Sequence, residues 1–318
     1  MIETQNSSIA ATRSPDDFQT AAPLETPSLK ETAAAPDEIV IRARSGWISI
    51  DWAELYAYRE LLFFLVWRDI SARYKQTILG PAWAIIQPLL LMAIFTVVTM
   101  FVKIETPEVH GVPIPYPVFV FAGLIPWTLF SQGMPQSALS LVSNQNMMTK
   151  VYFPRIFLPV AAAMVFLVDL AISLGIYSVI LLYYRTSPAW TVVFLPVLIL
   201  LTIIGALSIG VTLASLTLFY RDFRHIVPFL VQIMMYVSPV MYSLTGTQWT
   251  QLAAKHPVLI WILSLNPMFG IIDAYRGCIL GAALNWTSLL ISSSSAILLF
   301  VFALFYFRKT ERWFADFA

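Results

Sequence analysis

Charge, cysteine and histidine are all scarce in this chain, and each scarcity removes a class of function. Charged residues are 12% of 318, where soluble domains carry roughly a quarter. A net charge of +1 argues against bulk binding of nucleic acid. A lone cysteine, Cys278, excludes an internal disulfide framework and any multi-cysteine metal site. His110, His225 and His256 lie far apart with no metal-ligand spacing, and read as polar residues at the membrane interface. No glycine is followed by lysine, so no phosphate-binding P-loop is present, and neither H-E-x-x-H nor G-x-S-x-G occurs. The chain is expected to be no enzyme and to hold no cofactor of its own.

Long apolar runs fill the remaining sequence. Residues 81–102, 190–220 and 286–307 contain no Asp, Glu, Lys or Arg. About 20 apolar residues at ~1.5 Å each cross ~30 Å of hydrocarbon. A soluble helix of that length needs a polar face, and these runs have none. The fold class expected is an all-α integral membrane protein with six spans, at about 81–102, 116–139, 156–184, 191–219, 226–244 and 286–307. The apolar stretch 257–272 is short, holds Asn266-Pro267 and Gly270, and reads as a re-entrant or interfacial hairpin.

With six spans, one side carries Arg59, Arg68, Arg73, Lys75, Lys150, Arg155, Arg221, Arg224, Arg308, Lys309 and Arg312. The other carries Lys103, Arg185, Lys255 and Arg276. The positive-inside rule then places both termini in the cytoplasm. Trp and Tyr near the span ends read as an aromatic belt, or as rings facing a path on which sugars stack. Glu105, Glu108 and His110 share a short outer loop and read as solvated.

Three regions follow from this layout. Residues 1–45 are rich in Ala, Thr, Ser, Pro and acids and read as a disordered tail without signal-peptide features. Residues 46–80 hold an amphipathic segment, 58–79, suited to the cytoplasmic membrane interface, and Gly80-Pro81 breaks it before the first span. Residues 81–318 form the six-span domain. Residues 143–155 make a polar, then basic, then aromatic loop that suits a short helix standing off the membrane. Asp169, within the third span, is the deepest ionisable residue, and an interhelical ion pair or hydrogen bond fits it better than a proton relay.

Four segments carry a resemblance: LVWRDISARYKQTILGPAWAIIQPLL (65–90), KVYFPRIFLPVAA (150–162), LFYRDFRHIVPFLVQIMMYVSPVMYSL (218–244) and LNPMFGIIDAYRGCILG (265–281). Together they resemble the membrane subunit of bacterial polysaccharide ABC exporters, the type 2 permeases that move O-antigen, capsule or teichoic-acid chains. The resemblance implies a homodimer in the bacterial inner membrane, surrounded by membrane lipids and coupled to two copies of a separate ATP-binding subunit. ATP and Mg²⁺ would be bound by that partner. It implies ATPase coupling through Arg68, Arg73, Lys150, Tyr152, Pro154 and Arg155. It makes 257–281 a pair of short periplasmic gate helices, with Asn266, Pro267, Asp273 and Arg276, the last two facing or pairing near the exit. Trp83, Phe95, Tyr236 and Tyr242 are the candidate pore-side aromatics for a lipid-linked polysaccharide. A permease for a drug or lipid, an ion-driven carrier resting on Asp169, and a membrane glycan-modifying enzyme are the competing readings; the enzyme would need a polar cluster that is not evident.

Overall fold

A computed structural model describes residues 52–75, 82–102, 108–109, 112–244, 249, 251 and 254–314. All belong to one unit, Trp47–Ala318. The expected tail 1–45, Gly80-Pro81, Lys103, Glu105 and His110 lie outside the described residues.

The chain begins with α1 (Trp52–Ala57) and α2 (Arg59–Lys75), which meet at Tyr58. α3 (Ala82–Val102) is the first span. A two-residue hairpin follows, β1 (Glu108–Val109) paired antiparallel with β2 (Val112–Pro113), a small addition to an otherwise all-α architecture. The second span, α4 (Tyr116–Ser143), starts with Pro117 in its first turn, where a missing N–H costs nothing. It is the central helix, buried for most of its length.

A six-residue helix, α5 (Gln145–Lys150), occupies the loop 143–155. The third span is interrupted at Val165 into α6 (Phe157–Met164) and α7 (Phe166–Tyr183). There the hydrogen-bond ladder tightens, Val168 N–H donating to Val165 O at 3.3 Å. The fourth span is α8 (Leu195–Phe219), preceded by a 3₁₀ turn at Trp190–Phe194.

The fifth span differs from its expected length. α9 (Phe223–Val237) has 15 residues and stops seven short of Leu244. Ser238 precedes Pro239, and the proline ring pushes it to extended backbone (φ −81°, ψ 142°), which ends the helix. α10 (Pro257–Ser264) and α11 (Pro267–Leu280) follow, bent by 92° at Leu265-Asn266. The last span is α12 (Trp286–Glu311). Among the described residues, five helices are long and apolar enough to cross a membrane, six if the bent pair counts as one.

Small residues bring the central helices together. A Cβ on Gly210 of α8 would lie 2.7 Å from Ser137 Cβ on α4, and Thr217 Oγ1 donates to Ala138 O at 2.6 Å. Close approach of this kind replaces the hydrophobic drive that lipid cannot supply. Two apolar clusters result. The larger joins α4, α7, α8, α9 and α11; the second joins Leu65 of α2, Met148, Phe153, Phe157, Ala303, Phe307 and Phe314 around the ends of α5, α6 and α12. α2 therefore rests on α6 and the second cluster rather than on its sequence neighbour α3.

Candidate functional site

Loop 143–155 is held from within and open on one edge. Phe153 and Pro154 are buried, and half-buried Arg155 donates from Nη1 to Glu311 O at 3.0 Å, fastening the loop to the end of α12. Lys150, Val151 and Tyr152 are exposed. Tyr152 reaches Glu54 of α1, its Oη 3.4 Å from Oε1, and the negative charge of Glu54, followed by burial, pushes the phenol's pKa up. Of the predicted coupling residues, Lys150 and Tyr152 thus form the accessible edge, while Pro154 and Arg155 anchor it.

Arg68 and Arg73 are not on that edge. Arg68 Nη2 donates to Asn144 Oδ1 at 3.1 Å and Nη1 lies 3.5 Å from Met147 Sδ, so α2 grips α5 and its leading residue. Its Nη2 also pairs with Asp69 at 2.7 Å. Arg73 forms an ion pair with Asp169 of α7, Nη2 to Oδ2 at 2.8 Å, stacks over the Phe166 ring at 4.3 Å, and donates to Gln132 Oε1 at 3.0 Å. Tyr74 Oη donates to the other carboxylate oxygen of Asp169. The Tyr74 phenol is pushed up to about 12, first by burial and then by that carboxylate. Asp169, 6% exposed, is therefore an interhelical ion-pair residue, as the sequence indicated. Arg68, Asp69, Arg73, Gln136, Asn144 and Phe166 border a cavity of about 390 Å³ between α2 and the bundle.

The predicted gate residues share α11, Asn266 and Pro267 at its bend with α10 and Asp273 and Arg276 further along the helix. Asn266 caps α11, its Oδ1 accepting from Met268 N–H at 3.0 Å while Nδ2 donates to Ser238 Oγ at 2.9 Å. Pro267 takes the first helical turn, and Gly281 closes the helix at φ 73°, a left-handed position where a side chain would be strained. Arg276 does not pair with Asp273. Its guanidinium donates to Phe119 O (3.2 Å), Tyr242 O (3.0 Å) and Val240 O (2.5 Å), and lies 3.8 Å over the Phe119 ring. The non-helical stretch after α9 leaves carbonyls that no helix satisfies, and a buried five-donor fork suits them better than a carboxylate would. Asp273 is buried with Oδ2 unpartnered.

Three further residues around α11 escaped sequence reasoning. Gly123 of α4 leaves the space that the Arg276 guanidinium fills. Ser292 of α12 accepts from Gly270 N–H at 2.9 Å and donates to Ser264 O at 2.8 Å, and Ser295 donates to Leu265 O at 2.6 Å. These serines satisfy backbone groups freed by the bend. The run Ser292–Ser295 in an apolar span was the available signal, since serines there bond across helices.

The four aromatics expected on the pore side divide. Trp83 and Tyr236 are exposed on α3 and α9. Phe95 is buried in the chain's own core. Tyr242 is half-buried, donates to Val237 O at 2.9 Å, and stacks on Trp249 with centroids 5.4 Å apart. Among the described residues no group of three or more His, Cys, Asp or Glu could hold a metal ion.

Comparison with known proteins adds a family. The sequence profile described as ABC-2 type transporter matches residues 60–280. The O-antigen export system permease protein RfbA of Myxococcus xanthus is 31% identical over 223 residues, covering 70% of this chain and 81% of that protein. An RfbA of Klebsiella pneumoniae is 26% identical over 259 residues, covering 81% and 94%. The polysialic acid transport protein KpsM of Escherichia coli is 23% identical over 236 residues, covering 70% and 84%.

Proposed function

The chain belongs to the ABC-2 type transporter family, and from that premise we propose that it exports a lipid-linked polysaccharide, driven by ATP. Members of the family are transport subunits, not catalysts, and work with a partnering ATP-binding subunit. In this reading two copies form the channel in the bacterial inner membrane, with both termini in the cytoplasm. Two ATP-binding subunits bind ATP and Mg²⁺ and dock on the exposed edge Lys150–Tyr152.

The observation that carries the reading is the loop 143–155, anchored at Phe153–Arg155 and exposed at Lys150–Tyr152, in a chain with no P-loop. A loop held this way can receive a push and pass it inward. Closure of the ATP-binding subunits moves the loop, and α3 and α9 of the two copies part to admit the glycan. Trp83 and Tyr236, exposed on those two helices, offer faces on which sugar rings stack weakly and in succession. Weak, repeated contacts let a long polymer slide. The pair α10–α11 stands at the periplasmic exit.

The test is complementation. The gene is deleted and lipid-linked polysaccharide is followed on each side of the inner membrane. Glycan trapped in the cytoplasm, and rescued by this chain only with a hydrolysis-competent partner, supports the proposal. Normal surface glycan in the deletion overturns it, as does rescue without ATP hydrolysis.

A further inference from the structure

Movement of a docking loop is useful only if it reaches the spans. The described contacts form an unbroken polar route for it. At one end, Arg68 holds Asn144 at 3.1 Å and approaches Met147 of α5 at 3.5 Å. Five residues along the same helix, Arg73 holds Asp169 of the third span at 2.8 Å and Gln132 of the second at 3.0 Å. Gln132 Nε2 in turn donates to Gln87 Oε1 of the first span at 3.3 Å. α2 thus holds the docking loop through Arg68 and the second and third spans through Arg73, and Gln132 carries the link on to the first.

Two observations make the Arg73 end decisive. α2 packs on the third span before Val165, whereas Arg73 reaches it beyond that residue, at Asp169. The ion pair bridges that point from outside. The first span, besides, packs chiefly on α4 and α7, with most of its described apolar side chains exposed. Gln87 ties it to the hub. A cavity of about 390 Å³ lies beside Arg68 and Arg73, between α2 and the bundle.

We propose that Arg73 and Asp169 are positioning residues for transport: their ion pair carries the displacement of loop 143–155 to the first three spans, so that ATP hydrolysis and glycan movement stay coupled. This rests on the exporter reading given above. The pair acts as one device, so removing either partner breaks the same link.

The experiment uses the deletion strain and its own lipid-linked polysaccharide, together with the purified complex of this chain and its ATP-binding partner. Glycan delivered and ATP hydrolysed are measured in parallel for wild type, Arg73→Gln, Asp169→Asn and the double variant. Each variant is expected to keep ATP hydrolysis and lose at least about fivefold in glycan delivered per ATP. The double variant should be no worse than either single, the signature of two residues acting through one interaction. Losses that multiply in the double, hydrolysis and delivery falling together, or full delivery in either single overturn the proposal. Gln87→Ala leaves no buried charge unpaired and keeps the test decisive where a charge variant does not accumulate. Reduced delivery per ATP in that variant supports the route, and wild-type delivery overturns it. If the wild-type chain itself fails to restore ATP-dependent export, the exporter reading fails, whatever the variants do.

Discussion

A Cβ on Gly123 of α4 would lie 2.6 Å from Nη2 of Arg276 on α11. The second span therefore carries a notch in which the guanidinium sits, held by three carbonyls and the Phe119 ring. The guanidinium cannot swing aside without abandoning those acceptors. Gly123→Ala should destabilise the protein by about 1–3 kcal/mol, the usual cost of overpacking. A lowered thermal unfolding midpoint of the purified protein would show it. In an Arg276→Ala background the same change should add little, because the clashing group is gone.

Ser292→Ala removes two hydrogen bonds from the bend between α10 and α11, leaving Gly270 N–H and Ser264 O without that partner. Interhelical hydrogen bonds in membranes are worth about 0.6–1.7 kcal/mol each. The thermal midpoint should fall, and more for Ser292→Ala than for Ser295→Ala, which loses one bond. Ser292→Thr, which keeps the hydroxyl, should recover part of the loss. Equal midpoints for the Ser292 and Ser295 variants would contradict this assignment.

Phe95 and Tyr236 should separate stability from transport. Phe95 is 8% exposed, and Phe95→Ala should cost about 3–5 kcal/mol as a buried ring lost from a core. Tyr236 is 64% exposed, so Tyr236→Ala should leave stability within about 0.5 kcal/mol of wild type. Its effect should appear as slower surface delivery of glycan. Unchanged delivery would remove Tyr236 from the proposed path.

The Tyr74 phenol, raised from 10.0 to about 12, is stabilised in its protonated form. A pKa raised on folding contributes stability that is fully present below the unfolded value and lost as pH rises through the folded one. The stability difference between wild type and Tyr74→Phe should therefore be flat through neutral pH. It should shrink between about 10 and about 12. Midpoints measured across that range check the sign; a difference that grows there would be wrong for a donor to Asp169.

Several elements were legible because their causes are local. Uncharged runs located the spans to within a few residues at most ends, since hydrocarbon tolerates no exposed charge. Pro257 and the Asn266-Pro267 step marked the start and the break of the bent pair through their backbone restrictions, whereas its end at Gly281 came only with the family resemblance. The premature end of α9 was also written locally, in Ser238-Pro239, but the apolar run through Leu244 masked it. For Asp169, low dielectric alone demanded a partner, so an ion pair could be anticipated without naming Arg73.

The amino-acid sequence determined that this chain spans a membrane, where its five long apolar helices lie, that no P-loop is present and that loop 143–155 has the character of a connector. Each of these follows from hydropathy, charge or backbone chemistry within a short window. Tertiary structure decided which residues meet: Arg73 with Asp169 across 96 positions, Arg276 with Phe119 O across 157, and Ser292 with Ser264 across 28. Such pairs depend on how helices rotate and pack. In spans apolar on every face, no polar stripe announces that rotation, and it is fixed by close-approaching small residues and by the acceptors that buried donors must find.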